Sequence, residues 1–324
     1  MAVAATRCLA IRAFVTGLFV MASGAVFAAG TGDRPLPDAK SVLVPFDHAP
    51  FPYRGMIPEK DKPFLDVLDN GRRGHTAARG GIYWEDETYS DRRVLVFLPK
   101  GFDLKRPAVI VVFFHGNSAT LERDVVARQH VAAQLAASRL NAVLLAPQFA
   151  VDAQDSSAGN FWTPDFFRQF LDEASARIAG VYGSSASRTV FAHLPVMLVA
   201  YSGGYNPAAY VLAGGGAGKR ILGVILLDAI YAEEDKFAGW VARHRKAFLF
   251  SAYSKSSKDG NANLQRFLAA KRVAYSETPP ARLTPGTVTF LAAGDDLVHD
   301  DFVTNAWVAN PLQWVLARVP GFGH

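Results

Sequence analysis

Seven short apolar runs constrain the fold of this chain more than any other feature. They span residues 94–98, 108–114, 142–145, 196–201, 222–227, 248–253 and 288–292. Most are continuously apolar rather than alternating. Such a strand needs cover on both faces of its sheet, because half of its side chains would otherwise lie in water. Between the runs lie longer stretches with helical spacing, at 121–138, 165–181, 206–213, 235–245 and 261–271. Strand followed by helix, repeated about five times, predicts an α/β protein: a mainly parallel sheet with helices on both faces. The first run ends at Pro99-Lys100-Gly101, a turn that favours antiparallel pairing with its neighbour. In open α/β sheets ligands gather at the carboxyl ends of the strands. The polar residues there are His115, Gln148, Ser202, Asp228 and, a few residues beyond its run, His299.

The ends of the chain are organised differently. Arg7 and Arg12 precede an apolar stretch from Ala13 to Ala28, and Val26-Phe27-Ala28 has the small residues of a cleavage site. Residues 1–28 therefore read as a signal peptide, which places the mature protein in the periplasm or outside the cell, with no membrane span left after processing. The single cysteine, Cys8, falls in this segment, so the mature chain has no disulfide, thiolate-metal site or cysteine nucleophile. Removing Arg7 and Arg12 leaves 32 basic against 29 acidic residues, a charge of only +3. With no long basic run, nucleic acid is not an expected partner. Residues 29–88 read as an irregular N-terminal arm, and 89–324 as one catalytic domain.

The most informative segment is Val196-Met197-Leu198-Val199-Ala200-Tyr201-Ser202-Gly203-Gly204-Tyr205. A buried strand runs straight into Ser202, two glycines follow, and helical spacing resumes at once. Small residues two positions before and after the serine let a tight strand-to-helix turn form and project the hydroxyl. The helix N-terminus beyond favours developing negative charge. Over residues 90–318 the chain resembles the α/β-hydrolase superfamily, with alanine replacing the first glycine of G-x-S-x-G. The resemblance implies the α/β-hydrolase fold, with Ser202 as nucleophile. It also implies an oxyanion hole built from backbone N–H groups. Asn117, in the His115-Gly116-Asn117 loop after the second run, supplies one, and Gly203 the other.

The resemblance puts the general base after the last strand. His299 stands there, in Gly294-Asp295-Asp296-Leu297-Val298-His299. His115 reads as a buried support rather than a base; His324 is terminal, and His193 and His244 sit in polar connections. Asp228, ending the run after the nucleophile strand, leads as the orienting acid. Asp259, six residues beyond the next run, and the Asp295/Asp296 pair stay open as alternatives; each preserves the order Ser…Asp…His. Residues 148–164 are expected to rim the pocket, with Trp162, Tyr201, Tyr205, Tyr231 and Trp240 lining the cleft or packing the core. Gly214-Gly215-Gly216-Ala217-Gly218-Lys219-Arg220 departs from P-loop spacing and reads as a helix-ending turn. No metal-ligand spacing occurs and no cofactor is expected. The sequence points to hydrolysis of a small-molecule or envelope-derived ester through an acyl-enzyme. Amide or peptide hydrolysis by the same residues, and a non-catalytic binding protein of this fold, are the alternatives.

Overall fold

The computed structural model describes residues 35–294 and 296–323, which form one compact unit. The signal-peptide reading of residues 1–28, with Cys8, lies outside the described residues, as do Asp295 and His324. The strands are β1 (Lys40–Pro45), β2 (Val67–Asp69), β3 (Arg72–Thr76), β4 (Ile82–Trp84), β5 (Arg93–Leu98), β6 (Val109–Phe114), β7 (Ala142–Pro147), β8 (Val196–Tyr201), β9 (Ile221–Leu227), β10 (Phe248–Tyr253) and β11 (Val288–Ala292). Eight of them form one sheet in the order β1-β5-β7-β6-β8-β9-β10-β11. From β7 to β11 all neighbours are parallel, while β5 runs antiparallel to both β1 and β7.

The continuous apolarity of the strands is explained by two cores. Alternate side chains of β6 divide between them: Ile110, Val112 and Phe114 on one face, Val109, Val111 and Phe113 on the other. The first face packs against the helices Phe166–Tyr182, Tyr205–Gly214, Glu234–Arg243 and Lys258–Ala270. Covering the second are Leu121–Arg128, Val131–Ala137 and Pro311–Leu316. The helical stretch expected over 121–138 is thus two pieces. Its first part is wound as a π-helix, and His130, at φ 51°, breaks the run in the left-handed region.

The N-terminal arm, read as irregular over 29–88, is corrected by the structure. Its residues 40–45 add the edge strand β1 to the main sheet, and β2, β3 and β4 form a separate three-stranded sheet. The physical reason is that the apolar stretches of these strands, Val42-Leu43-Val44, Val67-Leu68 and Ile82-Tyr83-Trp84, are only two or three residues long, too short to stand out as strands. Arg72-Arg73-Gly74-His75-Thr76 has no period-2 signal, and its position is fixed by a tertiary anchor instead. Phe64 is that anchor: it is fully buried, with His75 stacked at 4.2 Å and Tyr89 edge-on at 4.9 Å.

One topological feature positions the site. From β6 the chain moves to β7 on one side, then crosses back to β8 on the other. The loops leaving β6 and β8 diverge there, and a crevice opens at their carboxyl ends. The arm closes one side of that crevice. Replacing its anchor, Phe64→Ala, should destabilise the protein by about 3–5 kcal/mol, read as a fall in the thermal unfolding midpoint.

Candidate active site

Ser202 follows β8 directly and has φ 52°, a left-handed conformation costly for a residue with a Cβ. The turn is so tight that its neighbours admit no side chain. A Cβ on Gly204 would lie 2.4 Å from the Phe114 carbonyl oxygen, and one on Gly116 would lie 2.7 Å from the Ser202 Cβ. At Gly203 the space is taken by the Asn117 carboxamide and the Ser156 hydroxyl. Ala200, on β8 and fully buried, fits where a glycine often stands. The helix Tyr205–Gly214 starts at once, so the turn sits at its N-terminal end.

His299 comes to Ser202 from a short 3-10 turn, His299–Val303, beyond β11. The Ser202 Oγ lies 2.7 Å from its Nε2, and Asp228 Oδ2 lies 2.6 Å from its Nδ1. An ionised carboxylate only accepts, so Nδ1–H donates to Asp228 and Nε2 is left to accept the serine proton. Asp228 is fully buried at the end of β9, with φ 46°. It accepts from the Ser254 N–H at 2.9 Å, the Ser254 hydroxyl at 2.9 Å and the Ser256 hydroxyl at 2.6 Å, and also from the Ser257 hydroxyl. Burial alone pushes its pKa up, but hydrogen bonds from His299, Ser256, Ser257 and the Ser254 N–H outweigh it and hold the carboxyl down to about 2.

Two tyrosines frame the imidazole. The Tyr201 ring stacks on it at 5.2 Å, and its hydroxyl donates to the His299 carbonyl at 3.1 Å. The Tyr231 hydroxyl stands 3.3 Å from Nδ1 and 3.0 Å from the Ser256 Oγ. Sequence reading offered Tyr201 and Tyr231 only as cleft or core aromatics, and the three serines not at all. The one signal in reach was the serine density of 254–257, directly after a strand.

The other sequence candidates fall into place around this group. Asp259 is exposed in the first turn of the helix Lys258–Ala270, away from the imidazole. Asp296 is an exposed turn residue. His115 is buried: the Phe149 N–H donates to its Nε2 at 2.9 Å, so the proton sits on Nδ1, which donates to the Gly116 carbonyl at 2.7 Å. Desolvation lowers its pKa to about 4, keeping it neutral. It braces the loop that carries Asn117, and Gln148 braces the same loop through the Ala119 carbonyl at 3.1 Å. Among the described residues, no protein group accepts from the Asn117 backbone N–H. His193 is bonded to the Thr189 carbonyl, and His244 stacks on Trp240, which is core rather than cleft lining.

A cleft of about 680 Å³ opens onto Ser202, Gly203 and Asn117. The 148–164 segment supplies Gln154, Ser156 and Trp162, and the arm supplies residues from Ile57 to Arg79. No group of three or more His, Cys, Asp or Glu able to hold a metal occurs among the described residues, and none of their helices is long and apolar enough to cross a membrane.

Two outcomes follow from this geometry. Gly204→Ala forces a Cβ against backbone and should cost about 1–3 kcal/mol, seen as a lowered thermal midpoint with loss of Ser202 reactivity toward a phosphonate probe. Asp228 has its folded pKa depressed to about 2 from 3.8. Its contribution to stability is therefore complete above about pH 4 and is lost as pH falls through 2, in total about 2 kcal/mol. Denaturant titrations between pH 5 and 2 should show Asp228→Asn losing less stability than wild type by about that amount.

No family model and no curated protein sequence matches the chain. Among solved structures it is similar to a feruloyl esterase module from Clostridium thermocellum, at 14% identity and a TM-score of 0.45, covering 85% of this chain and 98% of that one. An S-formylglutathione hydrolase from Agrobacterium tumefaciens is similar at 12% identity and 0.44, covering 78% and 97%, and the esterase Est22 at 12% and 0.38, covering 71% and 74%. Identities this low leave the chemistry to the residues of this chain. The sheet order, the turn at Ser202, and Asp228 and His299 beyond later strands give the chain the α/β-hydrolase fold.

Proposed function

We propose that this protein is an exported serine hydrolase that cleaves a carboxylic ester through an acyl-enzyme on Ser202, with His299 as base and Asp228 as orienting acid. The observation that carries the reading is the imidazole held between Ser202 Oγ at 2.7 Å and the buried Asp228 carboxylate at 2.6 Å. That arrangement lets His299 take the serine proton as Oγ attacks the ester carbonyl, then pass it to the departing alcohol. Asp228, ionised across the working range, fixes the imidazole tautomer and stabilises the imidazolium that forms. The oxyanion of the tetrahedral intermediate would be met by the N–H groups of Asn117 and Gly203, at the start of a helix. A water molecule, activated by the same imidazole, then releases the acid from Ser202.

Export rests on the basic n-region, the apolar stretch and the cleavage pattern of residues 1–28. A small-molecule or envelope-derived ester is the substrate this location favours. A fluorophosphonate probe tests the chemistry: it should label wild type and not Ser202→Ala. Absence of labelling, or equal labelling of the two, would sink the hydrolase reading. Against a panel of 4-nitrophenyl esters and aminoacyl anilides, turnover is expected on the esters; faster cleavage of the anilides would assign a peptidase instead.

A further inference from the structure

The wall contributed by the arm bears a charge that the chemistry at Ser202 does not use. Residues 77–81 form the turn between β3 and β4. The Gly80 N–H donates to the Ala77 carbonyl at 2.9 Å and the Ala77 N–H to the Gly81 carbonyl at 3.1 Å. Gly80 and Gly81, at φ 90° and 87°, permit this conformation. The turn carries Arg79 to the lining of the cleft that contains Ser202.

Arg79 is held there by neutral groups. Its guanidinium donates to Gln154 Oε1 at 3.0 Å, and Gln154 Nε2 donates to the Ser118 hydroxyl at 2.6 Å, next to Asn117. Among the described residues no carboxylate lies within ion-pair distance of Arg79. The acids of the cleft are engaged elsewhere. Glu59 and Glu233 both accept from Lys236, at 3.0 and 2.5 Å. Asp155 accepts from the Tyr89 hydroxyl and the Ser157 hydroxyl, each at 2.8 Å. Lys62 is paired with Asp66 at 2.6 Å. Arg79 thus keeps most of its five donors for a ligand, in a fork whose geometry matches a carboxylate. Its charge also reaches the reacting end of the cleft. Burial raises the Tyr205 and Tyr231 phenols, and Arg79 works against that rise at both.

Resting on the reading of Ser202 as an ester-cleaving nucleophile, we propose that the substrate is an ester bearing a carboxylate, which Arg79 binds while the scissile carbonyl lies at Ser202. The remainder of the molecule packs on Trp162, Tyr205 and Tyr231, three of the aromatic side chains that line the cleft. The carboxylate belongs to the acyl half or to the alcohol half, and two substrate pairs separate these sources. Mono-4-nitrophenyl glutarate against 4-nitrophenyl pentanoate places the charge on the acyl side; 4-acetoxybenzoate against phenyl acetate places it on the leaving group.

In one pair the anionic ester should exceed its neutral partner about tenfold in kcat/KM at low salt, chiefly through KM. Added salt should shrink the advantage, because the Arg79 contact is open to solvent. Arg79→Gln should bring the ratio to within about twofold of unity, while Arg79→Lys retains part of it. A wild-type ratio at or below one in both pairs would overturn the proposal. So would a ratio unchanged in Arg79→Gln whose thermal midpoint matches wild type. In either case neutral esters are still cleaved and Ser202 is still labelled, so the hydrolase reading stands. No turnover of any ester together with no phosphonate labelling removes both.

Discussion

A fully buried carboxylate sets the terms for the Ser202 end of this molecule. Asp228 has no solvent exposure, and an unpaired charge at such a depth costs several kcal/mol. Four hydrogen bonds from the 254–257 segment and one from His299 offset that cost. Those donors come from the loops after β10 and β11, so the charge on the β9 end ties three strand ends together. The serines satisfy both oxygens of the carboxylate and leave its Oδ2 aligned on the imidazole Nδ1. Rigidity at His299 is thus a consequence of compensating a buried charge, supported by the Tyr201 ring stacked beneath it.

Ser202 depends on a second constraint, steric rather than electrostatic. Its left-handed backbone is held because β6 and β8 are adjacent and parallel, which brings Phe114, Gly116 and Gly204 into contact around it. The crossover from β7 back to β8 opens the crevice at the same place. The arm then decides how that crevice is finished: a small sheet anchored by Phe64 closes one wall and sets Arg79 over the opening. Core topology positions the proposed reaction, and a peripheral sheet lines one side of the cleft that leads to it.

Much of this was legible in the chain. The apolar runs at 108–114, 196–201 and 222–227 could be read as buried strands because both of their faces had to be covered. Ser202 stood out because a strand, a serine and two glycines in succession leave few backbone alternatives. Asp228 and His299 could be located because each follows a strand end. The 40–45 and 67–84 strands were not legible, since apolar stretches of two or three residues carry no periodic signal and such strands are fixed by contacts made elsewhere. The break at His130 was hidden for a related reason: residues 121–138 have continuous helical spacing, and the left-handed residue that divides them leaves the apolar pattern intact.

By itself the sequence determined the layered α/β architecture and the turn that exposes Ser202, because both follow from local pattern: which residues must be buried, and where a backbone can bend sharply. It also limited the orienting acid to Asp228, Asp259 or the Asp295/Asp296 pair. Only the tertiary structure showed which of Asp228, Asp259 and Asp296 lies against the imidazole, because hydrogen-bond reach to a ring nitrogen depends on which strand ends lie side by side. Asp228 lies 71 positions from His299 in sequence and 2.6 Å from it in space. Tertiary structure likewise decided the serine cradle and the Arg79 wall, whose members come together only when distant loops close on one crevice.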